Sequence, residues 1–239
     1  MTTRPNPLYE IAVTIVAPAV VLMQASAENR LGPTWALLLA LALPLAWGLN
    51  SWRRAQGFGV MAAIGVVSTL LTGGIGVLRL DASWLQIKEA AVPALLGLAV
   101  AASAFTRRPL IHLLVFSPTL FDVPRISAAL AERGTAGAFE QRMRTATLCF
   151  AATFAFSAVM NYWLAGWIVT SPAGSEAFNE ELGRLTLVSY PVIALPSLAM
   201  MMVLLWWIAR GVRELAGLGF DDILLAARPD EAVQDTKAP

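Results

Sequence analysis

The sequence predicts an all-α membrane protein, a single bundle of six transmembrane helices arranged as three hairpins. Three observations predict this fold: a strongly apolar composition, uncharged stretches long enough to cross a bilayer, and basic residues gathered on one side of them. Of the 239 residues, 57% are hydrophobic and only 14% are charged. An ordinary soluble domain carries about 25% charged residues, so this composition argues against a soluble fold.

The six predicted spans follow from the length of stretches without Asp, Glu, Lys or Arg. A helix needs about 20 mostly apolar residues to cross the hydrocarbon core, with a range of about 17 to 25. The six stretches are continuous rather than alternating in polarity, which favours helices over barrel strands. The predicted spans are residues 11–27, 33–52, 57–78, 90–106, 146–170 and 186–209.

The arginine and lysine residues predict the orientation. With six spans and the N-terminus inside, thirteen of them lie on the cytoplasmic side and four on the outer side. An excess of basic residues marks the cytoplasmic face, and tryptophans near both ends of the spans fit an aromatic belt. The sequence therefore predicts a multi-pass protein of the bacterial inner membrane with both termini in the cytoplasm.

The first span has an alternative interpretation. Arg4, the apolar stretch 11–23 and the small residues 25–27 are also the pattern of a cleavable secretory signal. Glu10 offsets the basic leader, and Pro18 lies within the apolar stretch, which favours a retained span. The other five spans keep their orientation in either case.

The segments between the spans have uneven lengths. The largest is cytoplasmic, residues 107–144, in which Pro124 is placed to begin a helix and Gly134 to end it. Within it, residues 109–121 are apolar but too short to span, which predicts an interfacial or re-entrant piece. One domain of residues 1–225 is predicted, followed by a disordered cytoplasmic tail, residues 226–239. The outer loops are predicted at residues 26–32, 79–89 and 171–184.

Prolines within four of the spans, and glycines within the third, predict the helix packing. Proline kinks a helix, and glycine lets a neighbouring helix approach closely. The alternative is a set of broken helices around a binding site, as in many transporters. The residues are Pro18, Pro44, Pro93, Pro191 and Pro196, with Gly65, Gly73, Gly74 and Gly76 in the third span.

Polar residues at or inside the spans are the candidate functional residues, because they are costly in a membrane. Four charged residues lie at the outer ends of spans 3 and 4, either as an ion-pair set that anchors the helix ends or as an entrance for a polar solute. Asn161 lies inside span 5 and needs a partner on another helix, for which Tyr190 is a candidate. The polar pathway or structural polar cluster is Arg79, Asp81, Lys88, Glu89, Asn161 and Tyr190.

A second candidate cluster lies in the last outer loop. Asn179 is placed to cap a helix whose first turn holds Glu180 and Glu181, which suits the helix dipole. Arg184 ends this polar stretch. Capping accounts for the cluster without any ligand.

Several function classes are not expected. One cysteine and one histidine, with no nucleotide-binding or hydrolase motif, predict no metal, no cofactor and no enzyme activity. A net charge of +1 gives no indication of nucleic acid. The expected partners are the lipid bilayer, further copies of the chain, and envelope or division proteins.

Three stretches carry a resemblance to a known family. They are residues 78–116, which contain LRLDASWLQIKEAAVPALLGL and RRPL; residues 157–164, SAVMNYWL; and residues 178–202, FNEELGRLTLVSYPVIALPSLAMMM. Together they resemble a bacterial multi-pass inner-membrane family of unassigned function, distantly related to intracellular septation protein A. Some members of that family carry transporter labels. The resemblance implies a role in envelope integrity or division and supplies no catalytic residues.

Two functions therefore stay open at the level of sequence. A small-solute transporter or channel, as an oligomer, predicts that Lys88, Glu89, Asn161 and Tyr190 line one cavity. A non-catalytic membrane scaffold instead predicts a solid core with paired polar groups. In that case the cytoplasmic segment, residues 107–144, contacts the partners.

Overall fold

The computed structural model describes residues 11–54, 60–106, 109–111 and 123–219. Within these ranges the chain is helical with short connections and contains no strand, which confirms the all-α fold class. The rest of the interfacial piece after residue 111, and the C-terminal tail, lie outside the described residues.

Seven helices are described. Four of the helices contain a stretch that is long and apolar enough to cross a membrane, namely Gly32–Asn50, Ser83–Ser103, Ala136–Ile168 and Glu176–Ala216. Two shorter apolar helical stretches are Ala12–Ala25 and Val66–Val77. These stretches are compatible with an integral membrane protein. The helices are α1 Ala12–Ala25, α2 Gly32–Arg54, α3 Val60–Val77, α4 Ser83–Ser103, α5 Val123–Glu132, α6 Ala136–Ile168 and α7 Glu176–Ala216.

Several helices are longer than the spans predicted within them. Helix α7 has 41 residues, and at 1.5 Å per residue it is about 60 Å long, twice the hydrocarbon thickness. Helices α4 and α6 likewise begin before the predicted spans, at Ser83 and Ala136. The regions predicted as outer loops, residues 79–89 and 171–184, are therefore largely helical. A charged residue ends an uncharged stretch of the sequence, but the helix itself continues through that residue.

The chain divides into two compact units. The first comprises Met1–Val92 and Ser157–Pro196, and the second comprises Pro93–Phe156 and Ser197–Pro239. In the first unit α1 packs against α2 and against the beginning of α7. Its buried core includes Leu22, Leu37, Leu85, Leu164, Phe178 and Leu182.

The second unit has its own core. Here α5 packs on the beginning of α6 and on the last turns of α7. The helix predicted between Pro124 and Gly134 is confirmed: α5 spans Val123–Glu132, and Gly134 follows it with a positive φ of 64°. The core includes Ile126, Leu130, Phe139, Met143, Ile208 and Val212.

The described helices continue through their prolines, so no broken helix is seen in α1, α2, α4 or α7. In α1 and α7 a π-helical turn accommodates the proline, over Ala12–Val16 and Tyr190–Ala194. A proline ring cannot donate a hydrogen bond and collides with the carbonyl one turn earlier. The wider π turn relieves that collision while the helix continues.

Glycines in α3 lie where the neighbouring helix is close. A Cβ atom at Gly73 would lie 2.6 Å from Cδ1 of Leu41, and one at Gly76 would overlap the side chain of Leu37. Gly74 faces open space instead. The predicted close approach is therefore confirmed at Gly73 and Gly76, where a larger residue would displace the leucine side chains of α2.

Candidate functional site

A polar cleft lies between two connections of the first unit. Residues 79–82, between α3 and α4, and residues 170–175, between α6 and α7, enclose a cavity of about 700 Å³. Both connections belong to the predicted outer side. The cleft holds two of the candidate residues, Arg79 and Asp81, together with the hydroxyls of Thr170, Ser171 and Ser175.

The two connections meet at Arg79 and Gly174. Arg79 has a positive φ of 52°, a backbone conformation uncommon outside glycine, and Gly174 has a φ of 84°. A Cβ atom at Gly174 would lie 2.9 Å from Cγ of Arg79 and 3.2 Å from the carbonyl oxygen of Gly76. The glycine therefore allows the connections to touch. The Arg79 side chain is exposed and forms no hydrogen bond among the described residues.

Asp81 is committed to the start of α4. Its Oδ1 accepts a hydrogen bond of 2.8 Å from the Ser83 N–H, so it caps the helix. Hydrogen bonds from the Ser83 hydroxyl and N–H lower the pKa of Asp81, which keeps it ionised at neutral pH. Of the two charged groups in the cleft, only Arg79 is therefore free to meet a solute.

Glu181 holds the second connection in place. It lies ahead of the predicted sixth span and accepts from the N–H groups of Thr170 and Ser171, at 3.0 and 2.9 Å. Their hydroxyls donate to its other oxygen, at 3.3 and 2.8 Å. Partial burial opposes ionisation, but these hydrogen bonds outweigh it and lower the pKa of Glu181. The carboxylate thus holds Thr170 and Ser171 against α7.

The predicted cap at Asn179 is wrong. Helix α7 begins at Glu176, and the Ser175 Oγ accepts from the Phe178 N–H at 3.1 Å. Asn179 instead lies within the first turns and is fully buried. Its Nδ2 donates to the Ser26 Oγ at 3.0 Å and to the Pro33 carbonyl at 2.7 Å. The side chain therefore joins α7 to the end of α1 and the start of α2.

The other two members of that cluster form a surface ion pair. Glu180 and Arg184, one helical turn apart, are both exposed and lie 3.5 Å from each other. Exposed pairs of this kind contribute little to stability, about 0–1 kcal/mol. They leave the first turns of α7 polar.

Lys88 and Glu89 lie within α4 rather than at its start. The Lys88 Nζ donates to the Glu89 Oε1 at 2.5 Å and to the Thr72 Oγ1 of α3 at 2.7 Å. The Lys88 side chain is only 10% exposed. Thr72 in turn donates to the Ser68 carbonyl at 3.1 Å. The lysine therefore ties α3 to α4.

Asn161 does not use the interhelical partner expected for it. Its Nδ2 donates to the carbonyl and the hydroxyl of Ser157, at 2.8 and 3.2 Å, one turn earlier in α6. The prediction that its hydrogen bonds reach another helix is wrong, because the bonds that its amide donates go to Ser157 of the same helix. Tyr190 is 48% exposed.

The candidate residues thus separate into distinct places. Arg79 and Asp81 line the outer cleft, and Lys88 with Glu89 joins two helices. None of Lys88, Glu89, Asn161 and Tyr190 lines that cleft. Sequence reasoning placed residues 171–184 in an outer loop but did not identify the hydroxyls of residues 170–175 as the wall of a cleft, although the Ser-Pro-Ala-Gly turn after an apolar stretch was a usable signal.

A second polar cluster, missed in the sequence, joins the beginning of α6 to the last turns of α7. Arg142 donates to the Trp207 carbonyl at 2.9 Å and to Glu214 at 3.0 Å, and its guanidinium lies 4.4 Å from the centre of the Trp207 ring. Arg210 also donates to Glu214, at 2.6 Å. A Cβ atom at Gly211 would overlap Arg142. Glycine thus lets the arginine cross the helix.

Within the described residues, no group of three His, Cys, Asp or Glu side chains could hold a metal ion. Compared with known protein families, with curated proteins and with solved structures, the chain matches none. The resemblance to the septation-related family therefore stays a prediction.

Proposed function

We propose that the chain is an integral protein of the bacterial inner membrane with six spans and both termini in the cytoplasm. Contacts between connections support this topology. Regions assigned to the outer side meet in the first unit, through Asn179 with Ser26 and through Arg79 with Gly174. Segments assigned to the cytoplasm meet in the second unit, where the Thr135 hydroxyl donates to the carbonyl of Leu215 at 2.8 Å.

Within that topology, we propose that the protein is a non-catalytic scaffold whose cytoplasmic segment binds a partner protein. One observation carries this function: the cytoplasmic ends form a packed platform. Helix α5 buries Ile126 and Leu130 against α6 and α7, while its connection to α6 is anchored by Thr135. Glu132 at the end of α5 and Glu140 in α6 are exposed, and Glu140 borders a small cavity with Ile126 and Leu130. A packed hairpin offers a preformed surface to a partner protein, whereas a solute path needs free polar groups inside the bundle.

The paired polar groups support the scaffold further. Lys88 is bonded to Thr72 and Glu89, and Asn161 to Ser157, so these groups have partners within the protein. A conducting path needs polar groups that are free to replace the hydration shell of a solute. The resemblance to a septation-related family makes envelope or division proteins the expected partner class.

In-cell photo-crosslinking tests the scaffold. A photoreactive residue at Glu140 is expected to give a discrete adduct with one cellular protein. The matched control places the same residue at Glu180, which is also exposed on a helix but lies at the outer end. Identical adduct patterns at the two positions, or no adduct at Glu140, would remove the scaffold hypothesis.

The outer cleft favours a second candidate, a transporter or channel for a small anionic solute. Arg79 is the charged group in the cleft without a hydrogen-bonding partner among the described residues, and hydroxyls surround it. Counterflow of phosphate, acetate and glutamate into proteoliposomes tests this function. Flux is expected to fall at least tenfold in Arg79→Gln and to persist in Arg184→Gln. Flux equal to that of empty vesicles rejects the transporter.

A further inference from the structure

An apolar groove runs between α6 and α7 in the second unit. It has a volume of about 620 Å³ and its wall is made almost wholly of hydrocarbon and aromatic rings. The one hydroxyl in the wall, on Thr153, donates to its own helix, to the carbonyl of Phe150 at 2.7 Å. The groove therefore accepts hydrocarbon rather than a polar solute. The lining includes Cys149, Ala152, Thr153, Ala199, Val203 and Trp206.

The end of the groove beyond Trp206 is cationic. Val203, Trp206, Arg210 and Arg213 recur at spacings of three and four residues, so they share one face of α7. The Arg210 guanidinium lies 5.8 Å from the centre of the Trp206 ring. Arg213 is exposed and has no partner among the described residues.

Among the described residues at this end, the recorded carboxylate contacts do not balance the arginines. Glu214 accepts from both Arg142 and Arg210, so one carboxylate serves two guanidinium groups. Within the part of the chain that the structure describes, Arg213 has no recorded carboxylate partner, so one carboxylate serves two of the three guanidinium groups. The cluster as a whole therefore attracts an anion at the place where the apolar groove ends.

We propose that this groove holds an acyl chain of an anionic phospholipid whose phosphate lies at Arg210 and Arg213. The inference rests on the proposed six-span topology, in which the sixth span ends at residue 209 and the arginines enter the cytoplasmic interface. From Val203 to Arg210 the helix rises about 10 Å, the distance from the upper acyl chain to the headgroup. Basic pockets between membrane helices on this side recognise anionic headgroups.

A second copy of the chain suits the groove less well. A symmetric contact along α7 would bring Arg210 and Arg213 of one copy near the same residues of the other. Like charges placed opposite each other disfavour such a contact. A lipid phosphate instead neutralises the two arginines, so the charge pattern selects the lipid.

The single cysteine provides the test, because Cys149 lines the groove and is exposed. The rate of its modification by N-ethylmaleimide is measured on the detergent-purified full chain. Phosphatidylglycerol is titrated into one series of samples, and phosphatidylcholine with identical acyl chains is titrated into another. Phosphatidylglycerol is expected to protect Cys149 at about 30-fold lower concentration, the preference expected from two interfacial arginines.

Variants assign the effect to the arginines. The double variant R210Q/R213Q is expected to lose the preference, while R184Q, an exposed arginine at the outer end, is expected to keep it. Equal protection by the two lipids, an undiminished preference in R210Q/R213Q, or protection that follows protein concentration instead of lipid would each overturn the proposal. Because wild-type labelling alone gives the lipid comparison, a folding defect in the variant does not obscure it.

Two different results separate a failure of the proposed lipid site from a failure of the proposed membrane topology. Extraction of the protein from membranes by alkaline carbonate would contradict the membrane topology, whatever the labelling shows. Retention in the membrane with no lipid preference would contradict the lipid site alone.

Discussion

Replacing Asn179 with leucine is expected to weaken the attachment of the α1–α2 connection to α7. The side chain is fully buried and donates to Ser26 and to the Pro33 carbonyl. Leucine has a similar size and keeps the packing but donates nothing. The Ser26 hydroxyl keeps its own hydrogen bond to the Leu22 carbonyl at 2.7 Å, so the change is confined to two bonds.

The magnitude follows from those two bonds. A buried hydrogen bond contributes about 0.5–1.5 kcal/mol net, so losing two costs about 1–3 kcal/mol. The Asn179 Oδ1 has no partner among the described residues, and its removal offsets part of this cost. We therefore expect a loss of about 2 kcal/mol, roughly a 30-fold change in the unfolding equilibrium.

Asn161→Leu is the matched control. It removes the same amide from a half-buried site where both hydrogen bonds go to Ser157 of the same helix. Its expected effect is below about 0.5 kcal/mol, because the site is half-buried, no contact between helices is lost, and the Ser157 carbonyl keeps its backbone hydrogen bond within the helix. Equilibrium unfolding in mixed micelles, followed by the fluorescence of the eight tryptophans, measures both variants. A larger loss for Asn161→Leu than for Asn179→Leu would refute the assignment of the interhelical bond.

Three further predictions concern close contacts and charge. Gly183→Ala is expected to destabilise the protein by about 1–3 kcal/mol, because its Cβ atom would lie 2.8 Å from the Ala19 carbonyl oxygen; Gly74→Ala, with open space around it, should not destabilise in the same unfolding assay. Gly211→Ala is expected to displace Arg142, and a double-mutant cycle with Arg142→Met should show coupling of about 1–2 kcal/mol, whereas additivity would reject the contact. Because its folded pKa is lowered, Glu181 stabilises residues 170–175 fully above its ordinary pKa of 4.5 and loses that contribution as the pH falls further. The rate of hydrogen exchange in these residues should rise below that pH in the native chain but not in Glu181→Gln. A parallel rise of the rate in both proteins would contradict this role of Glu181.

Sequence reasoning predicted where apolar helices lie better than where they end. Uncharged length locates the part of a helix that suits lipid, whereas the helix itself continues into polar residues. In α4 this difference matters for function: the helix begins at Ser83, so Lys88 lies more than one turn inside it and reaches Thr72 of α3. The expected cluster of Arg79, Asp81, Lys88 and Glu89 is therefore divided between a cleft and a helix contact.

The two asparagines show why polar partners were harder to predict. Both Asn161 and Asn179 need hydrogen bonds when buried, but only the rotation of each helix decides whether a bond reaches another helix. Ser157, four residues before Asn161, offers a local acceptor. Gly183, four residues after Asn179, lies on the same face and allows α1 to approach. That spacing of a small residue and an amide was the available signal.

The topology is tested most directly by cysteine accessibility in intact cells of a bacterial host, on a Cys149→Ser background. One cysteine each is introduced at Asp81 and Pro172 in the predicted outer connections, and at Gly137 near the start of α6. We expect a membrane-impermeant maleimide to label the first two positions in intact cells and Gly137→Cys only after permeabilisation. Labelling of all three in intact cells, or recovery of the protein without detergent, would contradict a six-span protein with cytoplasmic termini.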